Sequence, residues 1–306
     1  MKIGSWAYHL VERSLAESMD VHTMVHLARR LIHNYDIYEK SGFPKIIAIP
    51  NRDAAKQIVK DMRKVGLFLD FVKLLIDARE MGIMGRKYKI PYISEIINEV
   101  KKAGYKYDPV QNIFVEDPKI RKTMNWGILK EGEEYIFTFL RFDMVKSSRL
   151  VRDLPADVIE SIYSDVRRIV LGICENKNGR VWVWEGDGGL ISFYLRDKDN
   201  IAAISAIEIL HELLIYNLLK NDSKRKIMAR MAVHSGPWIF TFDRENIKGD
   251  TIDRTIELEE KYTLPNTITF SDTVFRMLNQ KIVDTLEKYE NGSGNPLYRY
   301  RFIKEL

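Results

Sequence analysis

The sequence predicts an α+β protein in which a helical first part gives way to a βαββαβ second part. Three observations carry this prediction. Apolar residues in about the first 85 positions recur at spacings of three and four, the helical period. From Tyr135 onward, apolar runs of strand length alternate with longer helical patterns. Gly186-Asp187-Gly188-Gly189 joins two such runs as the short Gly/Asp turn of a hairpin. The expected organisation is therefore a helical bundle over 1–85, a connector over 86–133 and a second domain over 134–306.

Bulk properties narrow the class. At about 150 residues per domain, 306 residues give room for two domains. Hydrophobic residues at 45% and charged residues at 30% exclude a disordered chain, and the absence of an apolar run near 18 residues argues against a membrane span. Glu12, Arg13 and Glu17 interrupt the region where a secretory signal would be apolar, so the expectation is a cytoplasmic protein. Cys174 is the single cysteine; it excludes an intramolecular disulfide and every cysteine-cluster metal site. Lys and Arg number 48 against 43 Asp and Glu, a net of +5 without a long basic run. That favours a basic site for triphosphates over a nucleic-acid partner.

Taken in order, Met24, Leu27 and Leu31 share one helical face. Asn51 can cap a helix whose Ala54, Ile58, Met62 and Val65 recur at four, four and three, and Gly66 breaks it before Phe68, Phe71, Leu74 and Leu75. After Pro91, Ile93, Ile96, Ile97 and Val100 form a short amphipathic stretch, followed by turns at Asp108-Pro109 and Asp117-Pro118. Tyr135 to Phe142 reads as a strand. Asp153 and Pro155 start a helix with Val158, Ile162, Val166, Ile169 and Ile173 on one face. Arg180–Glu185 and Leu190–Leu195 are the hairpin strands, Asn200 to about Leu219 a second helix, and Lys226–Ser235 a further strand. This order is the ferredoxin-like βαββαβ arrangement.

In that arrangement Asp143, at the end of the first strand, and Asp187, in the hairpin turn, come from neighbouring strands. Two carboxylates at adjacent strand ends suit hard divalent cations, whose remaining ligands a substrate phosphate can supply. Lys146-Ser147-Ser148 follows Asp143, where backbone N–H groups at a helix start can receive a phosphate. Singly, each aspartate reads as turn chemistry.

Four motifs occur in order over roughly Tyr135 to Leu278: Phe142-Asp143-Met144-Val145; Glu185-Gly186-Asp187-Gly188-Gly189-Leu190-Ile191-Ser192-Phe193; Arg230-Met231-Ala232-Val233-His234-Ser235-Gly236-Pro237; and Gly249-Asp250-Thr251-Ile252-Asp253, with Ile268-Thr269-Phe270-Ser271 after them. Together they resemble the class III nucleotidyl cyclase catalytic domain. The resemblance implies conversion of a nucleoside triphosphate to a 3′,5′-cyclic nucleotide and pyrophosphate. Two Mg²⁺ or Mn²⁺ ions would be held at Asp143, Met144 and Asp187, with Ser147 and Ser148 toward the phosphates. It also implies a homodimer whose composite sites use the segment from Asn246 to Glu257 of the other protomer.

The departures are specific. Where the family has Asn and then Arg four residues later, this chain has Asp253 and Glu257, and an acid near a departing anion is unfavourable. Arg254 is the expected replacement, with Arg230, Arg149 and Lys261 as alternatives. At the base-reading positions stand Val183 and Asn246, which match neither the adenine nor the guanine pattern. Trp182 and Trp184 flank Val183, and their bulk would narrow the pocket toward a pyrimidine, as in bacterial antiphage pyrimidine cyclases; strand alternation also allows them to be core. An ordinary adenylyl or guanylyl cyclase and a non-catalytic nucleotide-binding or adaptor protein are the alternatives.

The first part, through Ile49-Pro50-Asn51-Arg52-Asp53-Ala54-Ala55-Lys56-Gln57-Ile58-Val59 and the helix after Gly66, resembles the effector-associated, death-like helical domains of bacterial conflict proteins. That implies a docking element for a protein partner. His22, His26 and His33 are spaced to share a helical face, which reads as solvated or partner-facing because no carboxylate completes a metal signature there. His234-Ser235 is not a nucleophile pair, since adjacent strand residues point to opposite faces.

Overall fold

The computed structural model describes residues 3–109, 112–223, 225–244, 247–289 and 295–301. It divides into two compact units, 1–128 and 129–306.

The first unit contains α1 (Ser5–Ser18), α2 (Val21–Arg29), α3 (Ile37–Ser41), α4 (Asn51–Lys64), α5 (Phe68–Glu80) and α6 (Ile93–Lys102), then an antiparallel ribbon of β1 (Tyr105–Asp108) and β2 (Ile113–Glu116). Local chemistry sets the helix ends. Asp20 caps α2 by accepting from the Thr23 N–H at 2.7 Å. Asn51 does not cap: it is the first residue of α4, after Pro50, and its amide donates to the Met19 carbonyl at 3.0 Å. Gly66 ends the α4 region with φ +78°, and the Leu67 N–H closes back on Met62 O at 2.8 Å. Val65 lies past the helix and is exposed rather than core. α2 stops at Arg29, so Leu31 and His33 are not on the helix that carries His22 and His26.

One apolar core runs through the unit. It includes Leu15, Met24, Leu27, Ile58, Met62, Phe71 and Leu75, and also Ile90, Ile93, Ile96, Val100 and Phe114. Residues 86–128, expected as part of a connector, thus belong to the first unit, because their apolar face is buried with that of the helices.

The second unit holds β3 (Glu134–Met144), α7 (Ser147–Asp153), α8 (Ala156–Asn176), β4 (Arg180–Glu185), β5 (Gly188–Phe193), α9 (Lys198–Leu219) and β6 (Ala229–Ile239). After these come α10 (Asp250–Tyr262), β7 (Thr267–Ser271), α11 (Asp272–Phe275), α12 (Gln280–Val283), β8 (Glu287–Tyr289) and β9 (Leu297–Arg301). The sheet order is β4-β5-β3-β6-β7-β9-β8. Its first four strands, with α8 and α9, are the expected βαββαβ arrangement; β7 adds in parallel to β6 and the remaining pairs are antiparallel.

β3 alternates between two environments. Leu140, Phe142 and Met144 enter the core that α8 and α9 supply through Ile162, Val166, Val170, Ala206, Ile209 and Leu213; Cys174 is buried there too. Phe137, Phe139, Arg141 and Asp143 alternate onto the opposite face, which α10 packs against. α9 is apolar and long enough to pass as a membrane span by length and composition, yet Ala202, Ala203, Ala206, Ile209 and Leu210 are buried in this core. α7 is a short helix that the periodicity did not predict.

Candidate functional site

The hairpin turn is tighter than expected. Glu185 pairs with Gly188, leaving Gly186 and Asp187 as a two-residue turn, and Gly186 takes φ +52°, which a glycine adopts without strain. Gly188 then pairs with Asp143 across β3–β5, and the Met144 N–H donates to the Asp187 carbonyl at 3.1 Å. A side chain at Gly188 would not fit: a Cβ there would lie 2.8 Å from Phe142 O and 3.3 Å from Asp143 Oδ1. The sheet thus brings Asp143 and Asp187 together at one end of two adjacent strands, both half-buried.

Charged partners surround this end. Across β3–β6, Asp143 pairs in register with Arg230, whose Nη2 donates to Asp143 Oδ2 at 2.7 Å. The same guanidinium lies 2.9 Å, through Nε, from the carboxylate of Glu259, which Arg141 approaches at 4.0 Å. Glu259 is 1% exposed. Burial, reinforced by the charge of Asp143 and opposed by Arg230 and Arg141, pushes its carboxyl up to about 7. Tyr163 of α8 completes the surroundings. Its phenol is raised by burial and by the charges of Asp187 and Asp143, and its hydroxyl is in hydrogen-bond contact with Ser147.

Sequence reasoning missed Glu259 and Tyr163. Each is one polar residue on a helix, without a spacing signal, and only the packing of α10 and α8 on the sheet brings it near Asp143.

The other expected site residues divide. Ser147 and Ser148 open α7 after Lys146, which takes φ +60°. Met144 is 2% exposed with its side chain in the helix-covered core, so its main chain is what faces the aspartates. Val183 pairs with Leu190 and stands on the Asp143 face. Trp184 is on the other face, stacked on Phe142 with ring centroids 5.7 Å apart and planes at 19°. Gly189 leaves room for it, since a Cβ there would sit 2.4 Å from Trp184 Cε3. Trp182 is 3% exposed, donates to Ser192 Oγ at 2.6 Å and packs on Trp238 and Phe240. The expectation that these tryptophans narrow an open base pocket is therefore corrected: both are packing residues, placed there by strand alternation and a bulge between Val181 and Val183.

Arg254 does not join the aspartates within one chain. It donates to Glu257 at 2.6 Å, lies over the Tyr262 ring at 5.9 Å, and lines a groove of about 640 Å³ with His234, Trp238, Lys248 and Thr251. His234 is four residues along β6 from Arg230, which separates the two places by about 13 Å of strand. Burial, helped by the charge of Arg254, lowers His234 to about 4, and its Nδ1 is 2.9 Å from Ser271 Oγ. Asp253 is exposed on the first turn of α10. Asn246 lies outside the described residues.

Hard divalent cations take carboxylate oxygens, and Asp143 and Asp187 supply them. Among the described residues, however, no group of three or more His, Cys, Asp or Glu side chains is arranged for a metal ion. The donor set suits a cation that arrives with phosphate oxygens rather than a caged structural ion.

No protein-family model and no curated protein matches the sequence. The solved structures similar to this chain include adenylyl and guanylyl cyclase domains. One is the catalytic core of a rhodopsin-guanylyl cyclase with converted specificity in complex with ATPalphaS, 17% identical with TM-score 0.48, covering 56% of this chain and 99% of that one. A second is an adenylate/guanylate cyclase/hydrolase from Silicibacter pomeroyi, 21% identical with TM-score 0.47 and the same coverage. A third is the adenylyl cyclase CyaB from P. aeruginosa, 14% identical with TM-score 0.47, covering 56% of this chain and 97% of that one.

Proposed function

We propose that residues 134–306 form a nucleotide cyclase that converts a nucleoside triphosphate to its 3′,5′-cyclic nucleotide and pyrophosphate. The observation that carries this reading is the pairing of Gly188 with Asp143, which puts Asp143 and Asp187 at neighbouring strand ends within the four ordered motifs. Asp143 and Asp187 would hold Mg²⁺ or Mn²⁺, two per site. Bound there, the ions would neutralise phosphate charge and make the ribose 3′-hydroxyl more acidic.

The chain's own groups have separate tasks. Arg230 holds Asp143 in one orientation through Oδ2 and leaves Oδ1 to a ligand. Ser147 and Ser148, at the start of α7, offer hydroxyls to the phosphates. Arg254 lies on a different part of the sheet face, which suits a homodimer in which one protomer's Arg254 serves its partner's aspartates.

The base proposed is a pyrimidine, giving cUMP or cCMP. What supports it is that Val183 and Asn246 match neither the adenine nor the guanine pattern of the family the motifs resemble. A role in bacterial antiphage signalling, with the first unit docking a protein partner, goes with that reading. A second reading, a nucleotide-binding module without turnover, is favoured by the Asp143–Arg230 pair and by the acid at 257.

The test is to incubate the purified protein with each of the four ribonucleoside triphosphates and Mg²⁺ or Mn²⁺ and to identify products by mass spectrometry. Cyclic product that disappears in D187A supports the cyclase. Metal-dependent nucleotide binding without product supports the second reading, and no binding sinks both.

A further inference from the structure

We infer that the outward face of α4 is a docking surface for the phosphate backbone of a nucleic acid. α4 packs against α1, α2, α3 and α5 and buries Ala54, Ala55, Ile58, Val59 and Met62. The face left outside carries five cations, Arg52, Lys56, Lys60, Arg63 and Lys64, and one acid, Asp53, all exposed. At about 100° per residue the five span an arc of roughly 120°, and at about 1.5 Å rise they line roughly 18 Å of helix, with about 6 Å between successive turns.

Five cations against one acid leave this face net positive, and ion pairs do not tie the cations up. Among the described residues no carboxylate pairs with Arg52, Lys56, Lys60 or Lys64, and Arg63 lies over the Tyr8 ring at 4.8 Å. Asp61, on the same helix, is occupied by the Tyr35 hydroxyl at 2.7 Å and by Gln57. A row of unpaired like charges repels itself; the phosphates of a polyanion relieve that repulsion, and the cations condensed on the polyanion are released in exchange.

The charge of the chain is divided in the same sense. Residues 1–128 contain 22 basic and 15 acidic side chains, a net of +7, whereas residues 129–306 contain 26 and 28, a net of −2. The whole-chain value of +5, read above as weighing against nucleic acid, averages two unlike halves.

The chemistry of the stripe selects among polyanions. A protein interface is anchored by buried aromatic or aliphatic side chains, whereas the aromatic ring beside this stripe, Tyr8, is already covered by Arg63. Phosphate contacts need only Lys and Arg, and they carry no sequence information. The expected ligand is therefore a nucleic-acid backbone bound without sequence preference.

The test measures binding of the 306-residue chain to fluorescein-labelled duplex DNA and to RNA by anisotropy, from about 50 to about 200 mM salt. With five phosphate contacts the log–log salt slope on duplex DNA is expected near −4.5. K56E/K60E and K56Q/K60Q should each reduce its magnitude by about 2 and weaken binding roughly tenfold or more, with the circular-dichroism melt unchanged. The proposal is overturned by no binding at the lowest salt, by a parent-like slope in both variants, or by tighter binding to polyglutamate or phosphatidylserine vesicles than to either nucleic acid.

Discussion

Glu259 of α10 and His234 of β6 lie at the same face of the sheet and titrate in opposite senses. Glu259 has a folded-state value near 7 against an ordinary 4.5, so the stability it contributes is present below 4.5 and is lost as pH rises through 7. His234 has a folded-state value near 4 against an ordinary 6.5, so its contribution is present above 6.5 and is lost as pH falls toward 4. Between about 4.5 and 6.5 the two nearly cancel, each being worth about 3 kcal/mol over its full range. E259Q removes one side of that balance. Urea unfolding at pH 7 and 4.5 should then show a loss of about 2 to 3 kcal/mol that the parent does not show. A variant whose pH profile runs parallel to the parent's would refute this coupling.

Asp143 and Asp187 carry the functional prediction at the same scale. D143A and D187A should each reduce metal-dependent product formation by about two orders of magnitude or more, because each removes a carboxylate that cation binding needs. D187A should leave the melting temperature little changed, whereas D143A removes the acceptor of the 2.7 Å Arg230 bond and should lower it by about 2 to 4 °C. Full activity in either variant would remove the basis for a two-metal site.

Among the elements, the β4–β5 hairpin is the most constrained. G188A places a methyl against Phe142 O and beside Asp143 Oδ1, so it should destabilise the unit by about 1 to 3 kcal/mol and weaken manganese binding measured by calorimetry. W184A should cost about 2 to 3 kcal/mol in unfolding free energy without altering which triphosphate binds, because the half-buried indole is packed on Phe142 on the face away from Asp143. A base-selectivity change at unchanged stability would contradict that placement.

This hairpin also shows how far the sequence is legible. The Gly-Asp-Gly-Gly segment, the strand before Asp143 and the two long helices follow from turn chemistry and periodicity, and with them the meeting of the two aspartates. The faces of Trp182 and Trp184 do not follow, because a bulge between Val181 and Val183 breaks the simple alternation. Glu259 is likewise invisible beforehand, since a carboxylate on an amphipathic helix reads as solvated until Arg230 and Arg141 are seen beneath it. The ribbon of β1 and β2 escaped because two four-residue strands carry too little pattern.

For the whole molecule, the division at 128/129 predicts that residues 129–306 fold alone, since the core around Phe142, Val166, Ile209 and Phe270 lies wholly within them. Expressed separately, this piece should melt cooperatively in calorimetry. If it cyclises a triphosphate without residues 1–128, the first unit is not needed for chemistry.

The two ends of the seven-stranded sheet have a consequence for self-association. β4, at one edge, is interrupted by its bulge, and β8, at the other, is three residues long. An irregular strand and a very short one are both poor templates for the addition of a further strand. Copies of this unit are thereby steered away from edge-to-edge growth into fibrils, and any pairing between them is left to the faces of the sheet and the helices that cover them.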